Sequence, residues 1–150
     1  MVKTSDILAE ISRLLAEKYP GWPVYANSPP TDLVRPSFSV KCTKVSELDA
    51  NRSMVQRTVS YTITYYPEVD EAGIGDAEAL LDVQDEVTKL FRTGYVKAGG
   101  RAIKVKSSTG GAESDRSFID LQFEYFDDRA EEAGEELLMG MINTKIKEKG

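Results

Sequence analysis

Histidine is absent from this 150-residue chain, and cysteine and tryptophan occur once each. Without histidine a serine nucleophile lacks its usual base, and no motif supports a Ser–Lys substitute. Cys42 alone closes no disulfide within the chain, so a reducing compartment is expected. No apolar run approaches the ~20 residues that a membrane-crossing helix needs. The opening Met1-Val2-Lys3-Thr4-Ser5-Asp6 has no apolar signal core, which predicts a protein made and used in the cytoplasm, with no membrane partner. Basic residues are in deficit, 19 against 25 acids, giving a net charge of −6. That balance argues against general affinity for nucleic acid, whose phosphates demand clustered Lys and Arg.

What is present suits one globular unit. Hydrophobic residues make up 41% and charged residues 29%, far from a disordered composition, and the length is that of one domain. Ile7, Leu8, Ile11, Leu14 and Leu15 recur at helical spacing behind a Thr4 or Ser5 cap, and Tyr19-Pro20-Gly21 stops that helix. Trp22 to Tyr25 reads as a short edge strand, because Pro23 cannot join a central ladder. A proline-rich loop, 27–36, leads to Ser37–Val45, where Lys44 and Val45 break an initial alternation. Residues 47–53 are polar and read as a turn or exposed loop. Val55–Tyr66 alternates cleanly, with Val59, Tyr61, Ile63 and Tyr65 on one face and Thr58, Ser60, Thr62 and Thr64 on the other. Asp76 caps a second helix carrying Leu80, Val83, Val87, Leu90 and Phe91, closed by Gly94.

Arg101–Ser108 and Ser117–Phe126 supply two more strands, with 107–115 as a flexible hairpin loop around Gly110-Gly111. Ile119, Leu121, Phe123 and Tyr125 share the inward face of the last one. Two single-striped helices can cover one face of such a sheet and leave the threonine-rich face free. The expected architecture is α+β, an antiparallel or mixed sheet with both helices on one face. The domain is expected over 1–126, with 127–150 as an acidic and then apolar extension.

Chemistry finds little support. The glycine pairs around Gly73-Ile74-Gly75 and Gly99-Gly100 lack the lysine and Ser/Thr of a phosphate loop, and Asp76 would repel phosphate. Asp70, Glu71 and Asp76 do not fit an EF-hand spacing. Tyr61, Tyr65, Tyr66, Phe123 and Tyr125 read as core rather than as a base-stacking platform, which normally lies in a basic groove. No catalytic residue, metal ligand or cofactor is expected. The cluster Leu137, Leu138, Met139, Met141 and Ile142 must bury itself, either against its own domain or in another subunit.

The helix with Tyr19-Pro20, then Arg35-Pro36-Ser37-Phe38-Ser39-Val40, the strand Arg57 to Tyr65-Tyr66-Pro67, a helix and a closing aromatic strand resemble the tail-terminator-like proteins of tailed phages. The likeness is to the small protein of contractile-tailed prophages of Gram-positive bacteria, and covers Thr4 to Phe126. It implies an α+β protein without enzymatic activity or cofactor. It also implies a self-assembled ring, usually of six, on the head-proximal end of the tail tube. Such a ring ends tube polymerisation and docks the head connector or neck protein. Its place is the host cytoplasm during assembly and the virion tail or neck afterwards. Under that resemblance Ser60, Thr62 and Thr64, with Leu137, Leu138, Met139, Met141 and Ile142, are candidate subunit contacts. Glu68, Asp70, Glu71, Asp127 and Asp128 are candidate channel-lining acids, and no tight DNA binding is expected. The alternatives are a head–tail joining protein and a small oligomeric α+β binding module.

Overall fold

The order of elements is α1 (Thr4–Lys18), β1 (Val24–Ala26), β2 (Ser37–Asp49), β3 (Met54–Tyr66), α2 (Ala77–Leu90), β4 (Tyr95–Ala98), β5 (Arg101–Ala112) and β6 (Ser117–Asp128). This is seen in a computed structural model, which describes residues 2–128. The apolar cluster 137–142, Leu137, Leu138, Met139, Met141 and Ile142, lies outside the described residues.

One sheet runs β1-β2-β3-β6-β5-β4. β1 is parallel to β2 and the other neighbours are antiparallel, so the sheet is mixed. β3 and β6 form its centre because their alternating apolar residues fall opposite one another, as Val59↔Phe123, Tyr61↔Leu121 and Ile63↔Ile119. Both helices close over that face. Ile7, Ile11 and Leu15 from α1 and Leu80, Val83 and Val87 from α2 join Phe38, Val40, Tyr61 and Phe123 in one buried cluster. Each large apolar side chain so covered is worth about 1.5–3 kcal/mol of transfer free energy. The even-numbered residues of β3 stay on the uncovered face.

The two helix starts differ. Asp76 caps α2, its carboxylate accepting from the Ala79 N–H at 3.2 Å. At α1 the cap position belongs to Lys3 rather than to Thr4 or Ser5, both of which are already helical. Its backbone N–H donates to the Asp6 carboxylate at 2.8 Å, so Asp6 makes the N3 half of a capping box.

The strands run longer than their alternation indicates. In β2 the register shifts between Cys42 and Lys44, so Thr43 is a bulge and alternation resumes beyond it to Asp49. Glu47 therefore belongs to a strand, held by an ion pair to Arg57 at 3.1 Å, and the turn is confined to 50–53. β5 likewise passes a register shift at Lys106 and continues through Ser-Ser-Thr-Gly-Gly to Ala112. A Cβ on Gly110 would collide with the Gln84 side chain and stand 2.8 Å from the Phe118 carbonyl oxygen, so this apparent loop is a closely packed strand. β6 includes Asp127 and Asp128, which the sequence reading put past the last strand. β4 is a further edge strand, made by the turn at Gly99-Gly100, whose φ angles are +57° and +77°.

Candidate assembly surface

The aromatic set divides into two roles. Tyr61, Tyr65, Phe123 and Tyr125 are core residues, none more than 7% exposed. Tyr61 meets the Phe123 ring edge-on at 5.8 Å and donates its hydroxyl to the Thr4 carbonyl at 2.6 Å. Tyr125 donates to the Val2 carbonyl at 2.9 Å, tying the N-terminal residues to the sheet. Neither ring face is open to a nucleic acid base.

Tyr66 instead sits between two guanidiniums, Arg35 at 5.6 Å and Arg116 at 5.3 Å from its ring centre. Arg35 also donates to the carbonyls of Pro67 and Asp115, at 2.9 and 3.1 Å. The Arg116 guanidinium, bonded to the Asp115 carboxylate at 3.0 Å, and the Arg35 charge beside it hold that carboxyl below the usual range. Tyr125 has a similar setting at the other end of the sheet, between Arg57 and Arg101, both at 5.8 Å. These arginine–tyrosine stacks join residues far apart in the chain, fifty positions for Arg116 and Tyr66. Pattern reading misses them because they have no period. The only advance signal is an arginine at a strand boundary next to a tyrosine in the register.

The uncovered sheet face holds Ser60, Thr62 and Thr64 together, half-buried, as alternation requires. Thr62 donates to the Asp120 carboxylate on β6, and Lys106 pairs with Glu124 at 3.4 Å. Charge on this face is thus partly neutralised within it.

The five candidate channel acids are not brought together. Glu68, Asp70 and Glu71 are exposed in the connection after β3. The Asp70 side chain accepts from the N–H groups of Ala72 and Ile74, at 2.9 and 3.0 Å, and so shapes that loop. Asp127 and Asp128 lie at the opposite end of the sheet, about ten residues away along the strands, roughly 30 Å. Asp127 is 5% exposed and ion-paired with Arg101 at 3.6 Å, so it is a packing element and not a free loop acid.

Among the described residues no group of three or more Cys, Asp or Glu is placed to hold a metal, and no helix is long and apolar enough to cross a membrane. Two helices on one face of a mixed sheet make an α+β fold, as the tail-terminator resemblance implied. The family model for phage tail terminator proteins matches residues 6–135, most of the chain. This chain belongs to the phage tail terminator family. No curated protein matches it in sequence. A solved structure resembles it at 15% identity with a TM-score of 0.48, covering 83% of this chain and 91% of its own. Membership makes it a structural component of a phage tail or neck, and it implies contacts with other tail or neck proteins. The family model runs past Asp128, so it takes in both ends of β6 and the acidic residues beyond.

Proposed function

We propose that this tail terminator caps the head-proximal end of the tail tube, ends tube polymerisation and offers the docking surface for the head connector. It acts as a ring of copies, by family resemblance six, and as a structural part rather than an enzyme. The observation that carries this reading is the one-sided cover of the sheet. The helices bury one face, and the other presents Ser60, Thr62 and Thr64, polar and uncharged, at its centre. Charge is depleted at the centres of protein interfaces, so such a face suits contact with another protein of the particle.

The acidic balance supports a part that DNA passes without sticking. On this reading Glu68, Asp70 and Glu71 face the lumen, where their charge keeps phosphate at a distance. Asp128 belongs to the other end of the sheet and Asp127 to an internal ion pair.

The test is a capping assay with purified tube protein. Adding the terminator to growing tubes should stop elongation, and Ser60→Glu/Thr62→Glu/Thr64→Glu should abolish that effect while leaving the fold intact. Tubes that grow equally long with and without the wild-type protein would contradict the proposal.

A further inference from the structure

Each edge strand of the sheet is covered along only part of the strand next to it. β1 covers Phe38–Val40 of β2 and stops there. From Lys41 to Leu48 the outer edge of β2 has no strand partner among the described residues, and burial changes at that point, from four buried residues to a mostly exposed run. On the far side β4 covers Arg101–Lys104 of β5, and the Val105 N–H reaches Gly94 at 2.8 Å. From there to Ala112 β5 has no outer neighbour among the described residues. β1 and β4 sit at opposite ends, since the row Phe38, Tyr65, Ser117, Ala112 and the row Asp49, Val55, Asp127 are the two limits of the sheet.

Unpaired edges are normally blunted by charge, proline or a bulge. β2 fits that rule, with Lys41, Lys44, Glu47 and the Thr43 bulge, though it also leaves Val45 46% and Leu48 68% exposed. β5 does not. Ser107, Ser108, Thr109 and Ala112 are exposed, uncharged and without proline, and the two intervening glycines answer to Gln84 and Phe118 packing inside the chain.

We propose that copies of this chain join head to tail, the open edge of β5 in one pairing antiparallel with the open edge of β2 in the next. This rests on the ring reading above, and it assigns the joint between copies to the edges, leaving the Ser60–Thr64 face for another partner. The directions agree, because β2 and β5 run opposite ways in the sheet. Side chains opposite each other must share a face, so the shift between copies is an even number of residues. A shift of two sets Ala112 against Val40, already taken by β1. A shift of four sets Ala112 against Cys42, Gly110 against Val45 and Ser107 against Leu48.

That register clears β1 and β4, because each fills the step left by the other copy. It covers the exposed Val45 and Leu48, sets Lys44 and Glu47 against uncharged residues, and brings Glu113 level with Lys41. Two β2 edges meeting each other would instead bury charges of both signs without chosen partners. Four residues are about 13 Å along the strand and the four strands from β2 to β5 about 19 Å across. The strands then incline by about 35°, at the edge of the 35–45° typical of closed barrels. Repetition of this joint is therefore compatible with a closed ring.

The test is disulfide trapping in tails assembled from the full-length chain carrying Ala112→Cys with the native Cys42. Ala112 is exposed at a strand end, so the variant should fold. Mild copper–phenanthroline oxidation should convert most of the protein into a ladder of dimers, trimers and higher species. Ala112→Cys/Cys42→Ser and the unaltered chain, each with one thiol, should give no species above a dimer. Tails that contain the double-thiol protein but yield no ladder would overturn the joint while leaving the capping reading intact. Dimers from Ala112→Cys/Cys42→Ser as abundant as the ladder would overturn it in favour of a β5–β5 contact. Tails that lack the protein altogether would overturn the capping reading and this inference with it.

Discussion

Tyr61 shows how one side chain joins sequence pattern, packing and pH response. Its ring fills the centre of the core and its hydroxyl is held by the Thr4 carbonyl. Tyr61→Ala should cost about 3–5 kcal/mol in a denaturant titration, the range for a large aromatic lost from a core. A loss under about 1 kcal/mol would mean that the ring is not buried in solution. Burial raises the Tyr61 phenol well above the ordinary tyrosine value. Its contribution is therefore complete below the unfolded pKa, about 10, and is lost as pH rises through the folded value. Tyr61→Phe should make stability fall less steeply with pH above about 10. Asp115 has the opposite sign. The Arg116 hydrogen bond lowers its pKa, so its contribution is present above the unfolded value near 3.9 and is lost as pH falls through the folded value. Asp115→Asn should flatten the acid limb of the stability curve below about pH 4, and an unchanged limb would show that the Arg35–Asp115–Arg116 cluster does not couple to folding.

At the scale of elements, α2 is the clearest case of a local rule holding. Asp76→Ala removes the side chain that accepts the Ala79 N–H, and should lower stability by about 1 kcal/mol in thermal or chemical unfolding. The strands with uninterrupted alternation, β3 and β6, were legible nearly to their ends, because one face meets two helices and the other does not. Legibility failed where pairing overrides local preference. Ser107 to Ala112 has the composition of a loop, yet β6 offers it a full ladder. Lys44 and Val45 look like the end of a strand because the Thr43 bulge inverts their phase. β4 is four residues long and depends on the Gly99-Gly100 turn, which gives too little pattern to read. At the surface, alternation placed Ser60, Thr62 and Thr64 on the uncovered face. It could not place Asp127, whose burial depends on Arg101, a residue 26 positions earlier on the neighbouring strand β5.

For the molecule as a whole, charge and shape point the same way. With a net charge of −6 and Tyr61, Tyr65, Phe123 and Tyr125 in the core, the isolated protein should show no salt-sensitive DNA binding in a gel or filter assay at physiological salt. Binding that weakens steeply with added salt would reverse that expectation and require a basic groove that the described face does not have. A sheet covered on one side, a polar opposite face and half-open edges describe a part built to be completed by neighbours. The central claim is that this part ends the tail tube. The measurement that tests it most directly is the length distribution of tails, by electron microscopy, in particles made with the gene for this chain deleted. The account predicts tails of variable and excessive length without joined heads, restored to one length by the wild-type gene. Tails of normal, uniform length joined to heads in its absence would contradict it.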